Sequence, residues 1–134
     1  MQARADIPGT RLGGEAFESR GDGRVALTGG ACAECGNRSF PRAPVCCVCM
    51  SENVAAEVMP REGTLYAFSR VHVAAKKWKK PMCIGYIDLP NGARVFAHLD
   101  GSDLKIGDTV EPVLGTVGED ENGAIETFVF RKIS

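Results

Sequence analysis

Several things are missing from this 134-residue chain. No apolar run approaches the roughly 20 residues that a membrane-spanning helix needs. The opening Met1-Gln2-Ala3-Arg4-Ala5-Asp6-Ile7-Pro8 has no apolar core of the kind a secretory leader carries, so the expected address is the cytoplasm. Charge of one sign is also absent: 16 Lys and Arg balance 17 Asp and Glu, which argues against a generic polyanion binder. There is no Gly-rich phosphate loop, HExxH or GxSxG motif, and no internal repeat. A chain of this length makes one domain or two very small ones.

Cysteine, by contrast, is plentiful. Five of the six fall within eighteen residues, four of them as Cys32-x-x-Cys35 and, after ten intervening residues, Cys46-x-x-Cys49. Each pair sets two thiolates on one tight turn, and two such turns complete a tetrahedron at about 2.3 Å from a zinc ion. Two disulfides or a redox pair are the alternatives, but cysteines in a chain without a secretory leader favour free thiolates. Gly36 supports the metal, because the chain turning back after the first knuckle needs a positive φ there. Cys47 sits inside the second knuckle, as a substitute ligand or a neighbour. Phe40 is the expected apolar cap over the metal. A structural zinc with four protein ligands has no open position and does no chemistry.

The remaining pattern divides the chain into three parts. Residues 1–24 are rich in glycine and charge; a weak helical stretch is possible around Glu15–Arg20, and the segment reads as an arm. Residues 25–60 form the zinc ribbon, with Pro41 and Pro44 stiffening the connector between knuckles. From residue 61 to 134 the period changes to two. Leu65, Ala67, Ser69, Val71 and Val73 alternate with Tyr66, Phe68, Arg70 and His72, which predicts one long strand. Met82–Leu89 and Ala93–Leu99 flank Asn91-Gly92, a strong hairpin signal. Thr109–Val117 and Ala124–Arg131 turn through Glu121-Asn122-Gly123. The fold class is therefore mainly β: an arm, a rubredoxin-like zinc ribbon, and a five-stranded OB-fold barrel.

Four of the six lysines crowd into Lys76-Lys77-Trp78-Lys79-Lys80, just after Arg70 and His72. Such a loop beside the usual OB binding face could hold an anion, with Trp78 stacking on a base. It could equally be a solvated tip with Trp78 folded back over the core. Residues 100–121 carry many carboxylates and a single lysine, a surface that would repel nucleic acid. Candidates for catalysis are Cys83, Cys47, His72 and His98, yet nothing in the sequence sets either histidine beside a thiol. Cys83, between Met82 and Ile84, reads as a core residue.

Taken together, Cys32-x-x-Cys35-Gly36, Phe40-Pro41-Arg42 and Cys46-x-x-Cys49, followed directly by the barrel, resemble the zinc-ribbon/OB-fold proteins of domain-of-unknown-function family thirty-five. Gly63-Thr64-Leu65-Tyr66-Ala67-Phe68-Ser69, Pro81, Gly92 and Lys105-Ile106-Gly107 look like that family too. Two departures stand out: Cys47 lies where the family commonly has proline, and residues before the ribbon show little of the helical lead-in. Members of that family are typically non-catalytic partners of thiolase-fold proteins. In archaea they bridge acetoacetyl-CoA thiolase and hydroxymethylglutaryl-CoA synthase; in bacteria they accompany thiolases or aldolases of aromatic and steroid degradation. The resemblance implies an accessory subunit in a hetero-oligomer acting on CoA thioesters, with the catalytic residues on the partner. It offers CoA or partner protein as the ligand of Arg70, His72, Lys76, Lys77, Trp78, Lys79 and Lys80. A single-stranded nucleic-acid-binding module is the competing expectation.

Overall fold

The computed structural model describes residues 10–11, 16–19, 24–73, 76, 78, 82–101 and 103–133. Among them are ten strands and no helix: β1 (Thr10–Arg11), β2 (Phe17–Ser19), β3 (Val25–Cys32), β4 (Arg38–Ser39), β5 (Val54–Val58), β6 (Gly63–Val71), β7 (Met82–Asp88), β8 (Arg94–Asp100), β9 (Thr109–Asp120) and β10 (Gly123–Lys132).

Strands β6 to β10 make the barrel. β6, β7 and β8 form an antiparallel meander, and β9 and β10 form the second hairpin. Closure needs two further pairings: β10 runs parallel to β8, with Val129 beside His98, and β9 meets the start of β6, with Val110 beside Gly63. Both expected turns are present, with positive φ at Gly92 and Gly123 where the hairpins reverse. The five-stranded OB barrel is thus observed with its strands close to the expected positions.

β3 organises the ribbon, pairing along one edge with β5 and along the other with β2 near its start and β4 near its end. The helical stretch considered around Glu15–Arg20 is not found in its described part. Phe17–Ser19 is a strand, with Phe17 opposite Leu27. Burying both side chains outweighs the small helical preference of a segment too short to nucleate.

The alternation expected along β6 also breaks. Tyr66 is an extra residue in the ladder: Leu65 faces Ile87, but the next pair is Ala67 with Tyr86. A one-residue bulge moves every later side chain to the opposite face. Ala67, Ser69 and Val71 therefore share the outer side with Tyr86, Ile84 and Met82, while Phe68 turns inward against the core. The strand ends at Val71, and Val73 beyond it is 89% exposed.

Ribbon and barrel share one core. Phe17, Val25, Leu27 and Met59 pack with Leu65, Ile87, Val95, Val110 and Phe130. Phe128 sits among three rings: Phe17 and Phe40 each 5.5 Å away, and Phe130 at 6.4 Å, all edge-on. Phe40 thus leaves the metal and anchors the ribbon to the barrel, where more apolar surface is available. The Phe40–Pro41 peptide bond is cis. Since Phe128 touches rings from both modules, Phe128→Ala is expected to lower the unfolding free energy by about 3 kcal/mol. Urea denaturation should show one transition moving as a whole; a shift confined to part of the molecule would mean that the modules unfold independently.

Candidate metal centre and the barrel-end cleft

The knuckles are two copies of one turn. In the first, the Gly36 amide donates to the Cys32 carbonyl and the Cys32 amide to the Asn37 carbonyl, at 3.0 and 2.9 Å. In the second, Met50 donates to Cys46 and Cys46 to Ser51, at 3.0 and 2.8 Å. Both turns place the residue after the second cysteine in the left-handed region, with φ of 82° at Gly36 and 68° at Met50. A bidentate contact holds the intervening connector, as the Arg42 guanidinium donates twice to the Val54 carbonyl. Arg38 and Glu57 tie β4 to β5 at 3.0 Å, a pair too exposed to add more than a fraction of a kcal/mol.

These turns bring the four thiols of Cys32, Cys35, Cys46 and Cys49 within 4.8 Å of one another. Cys32 lies 3.6 Å from Cys49, and Cys35 lies 3.6 Å from Cys46, sulfur to sulfur. Tetrahedral zinc at about 2.3 Å from each sulfur spaces the ligands by about 3.8 Å, so the donor set fits. Cys47 stands outside this group, exposed, with the Asn37 amide 3.9 Å from its sulfur.

Electrostatics lead to the same conclusion. The amides of Cys49 and then Val48 pull the Cys46 thiol down to about 6. The Ser51 amide acts likewise on Cys49, but sharing with the Cys32 thiol, burial and the other sulfurs outweigh it and push Cys49 up to about 12. Burial and sulfur–sulfur contact oppose ionisation of all four thiols together, and a bound cation would favour it. The four cysteines could hold a metal ion, and the cluster is suited to structural zinc.

A second feature lies at one end of the barrel. Arg70, Met82, Cys83, His98, Asp100 and Gly115 are among the residues lining a cleft of about 310 Å³. Cys83 and His98 both line this cleft, although the register pairs Cys83 with Arg70 and His98 with Ile84 rather than with each other. Burial raises the Cys83 thiol, opposed by the Arg70 charge, and burial lowers His98. Both are therefore neutral at pH 7, and a protonated thiol is a weak nucleophile.

The basic loop is only partly described: Lys77, Lys79 and Lys80 lie outside the described residues. Lys76 and His72 are exposed, and Arg70 reaches the cleft, with its guanidinium also 5.5 Å from the Phe68 ring. Trp78 is half-buried. It bridges to Gly118, lies 6.1 Å from the His98 ring, and packs on Val113, Val117, Ile125 and Val129. Its ring is engaged inside the fold.

A cysteine-knuckle ribbon rooted in the core of a five-stranded OB barrel defines a ribbon–barrel protein. Residues 56–115 match the family described as ChsH2, C-terminal OB-fold domain. The benzoylsuccinyl-CoA thiolase subunit BbsA of Thauera aromatica is 36% identical over 121 residues, covering 87% of this chain and 84% of that protein. A DUF35 domain-containing scaffold protein of Methanocaldococcus jannaschii is 32% identical over 114 residues, covering 81% of each. The chain belongs to the DUF35 OB-fold family. A solved structure, the Ltp2-ChsH2(DUF35) aldolase, shares the fold with a TM-score of 0.60 at 23% identity, covering 80% of this chain and 84% of that one.

Two measurements check the metal centre. Cys35→Ser or Cys46→Ser should reduce bound zinc from one ion per chain to none, while Cys47→Ser should retain it. Zinc binds thiolates, so it depresses the thiol pKa values of the folded state. The stabilisation is present at neutral and alkaline pH and is lost as pH falls, with release of the ion. A zinc content unmoved by Cys46→Ser, or lost in Cys47→Ser, would reassign the ligands. Separately, a Cβ at Gly36 meets no atom within 4 Å. Gly36→Ala should therefore cost only the left-handed backbone penalty of about 1 kcal/mol, read by chemical denaturation; a much larger loss would mean that the knuckle itself collapses.

Proposed function

We propose that this protein is a non-catalytic accessory subunit of a thiolase-type complex acting on CoA thioesters. Structural zinc holds its ribbon, and the barrel contacts the thiolase-fold partner and the CoA thioester. The similarity to a benzoylsuccinyl-CoA thiolase subunit, which runs through ribbon and barrel alike, carries this proposal. Thiolytic cleavage of an aromatic or steroid-derived acyl-CoA is the reaction class it fits. The described chemistry agrees with a supporting role, since Cys83 and His98 are both held neutral. Arg70, His72 and the lysines of residues 76–80 would attract the anionic CoA or an acidic partner surface, an attraction that weakens with salt.

Co-expression with a thiolase-fold protein from the same organism tests the proposal. A joint species on size-exclusion chromatography at micromolar concentration is expected, with CoA-dependent thiolysis requiring the partner. Separate elution of the two chains at that concentration, or turnover by this chain alone, would overturn it.

A further inference from the structure

The bulge at Tyr66 has a second effect, on the outside of the barrel. The outer side of β6, β7 and β8 is an aromatic and aliphatic surface with no strand of the described residues laid across it. Tyr86 faces Phe96 across the β7–β8 ladder, with ring centroids 5.0 Å apart. The Arg94 guanidinium lies 3.9 Å over the Tyr66 ring. Tyr66 is 51% exposed, Tyr86 45% and Phe96 55%. Below them Ala67, Ile84, Val71 and Met82 continue the apolar surface toward the cleft. Without the inserted Tyr66, the aliphatic residues of β6 would point into the core, and this surface would end at β7.

Charge decides what such a face can take. Among the described residues on the outer side of these strands, Arg94 is the only arginine or lysine. Asp88 already neutralises it through two bonds of 2.6 and 3.1 Å. Among the described residues of that side phosphate groups would find no unpaired cation, although strands two and three of an OB barrel are where single-stranded nucleic acid usually lies. His98, at the far end of the face, is neutral because burial lowers it, and Asp100 beside it would repel phosphate. The face suits an uncharged surface.

Area decides between occupants. Three aromatic side chains of 150–250 Å² each, about half exposed, offer roughly 300 Å². A two-fold contact between two copies would bury about twice that, short of the more than 2,000 Å² of obligate homodimers. The same patch is large enough for the central anchor of a heterologous interface of about 800 Å² per side, whose rim comes from elsewhere on the chain.

The geometry points to this face as the docking surface for the thiolase-fold subunit. The occupant is an uncharged apolar patch on that subunit, with hydrogen-bond acceptors in reach of the tyrosine hydroxyls. This rests on the proposed accessory role and adds which side of the barrel performs it. The test compares the wild-type chain with the Tyr86→Lys/Phe96→Lys pair and with Tyr86→Phe, each titrated with the purified thiolase-fold subunit. The double variant should bind at least ~30-fold more weakly, with zinc content and melting temperature retained, because both side chains are solvent-facing. Tyr86→Phe should bind within about threefold of wild type, since it keeps the ring. Equal binding by the wild type and a folded double variant would overturn this assignment and leave the accessory role standing. Failure of the wild type to bind would overturn both. A wild-type dimer that the double variant converts to monomer would give the face to a second copy instead. Loss in the double variant of a wild-type affinity for oligo(dT) would assign it to nucleic acid.

Discussion

The orientation of the ribbon on the barrel depends on a single shared core. Zinc, for all its prominence in the sequence, would clamp only the distal tip, where Cys32 and Cys46 bury beside Val54. The rest of β3 belongs to the barrel's interior, with Leu27 as fully buried as Leu65 or Phe130. Phe128 fixes the junction, because edge-on rings from β2, β10 and the connector after β4 meet there. A burial of this kind resists rotation between the modules, whereas a flexible linker would permit it. The knuckles are therefore presented at a set distance and angle from the barrel.

The local features visible in the sequence were those whose chemistry acts over a few residues. Cysteine spacing located the four-thiol cluster, and Gly36 marked the turn that needs a positive φ. Asn91-Gly92 and Glu121-Asn122-Gly123 located both hairpins. What escaped were features decided by partners distant in the chain. Phe40 stands next to a knuckle in sequence, yet it packs on Phe128, 88 positions later. The stretch around Phe17 has no strong preference of its own and becomes a strand because β3 offers an edge. Trp78 looked equally able to project or to fold back, and the apolar side of the β9–β10 hairpin decides for folding back.

The bulge at Tyr66 shows the limit of periodicity. Alternation along residues 64–73 is regular on paper, and no glycine or proline within the run signals an interruption. The register of β7 against β6 creates the extra residue, so only the paired structure shows which side each residue faces. In the same way, no motif unites Arg70, Cys83 and His98; they meet because three neighbouring strands end or begin at one rim. At such sites the topology assembles chemistry that the linear order keeps apart.

Barrel closure by β10 also bears on how the molecule is made. All four cysteines of the candidate metal centre lie in the first 49 residues, so the knuckles can form while much of the chain is still being synthesised. The edges of β8 and β9 remain open until β10 arrives, and β1 also waits for it, pairing Thr10 with Ile125. The β1–β10 pairing spans nearly the whole chain and carries the largest loop-closure cost in the fold. During that interval the half-built sheet exposes two unpaired strand edges, the same hazard that makes parallel closure prone to misassembly. A ribbon already folded beside it would limit the freedom of the waiting strands and favour the correct closure.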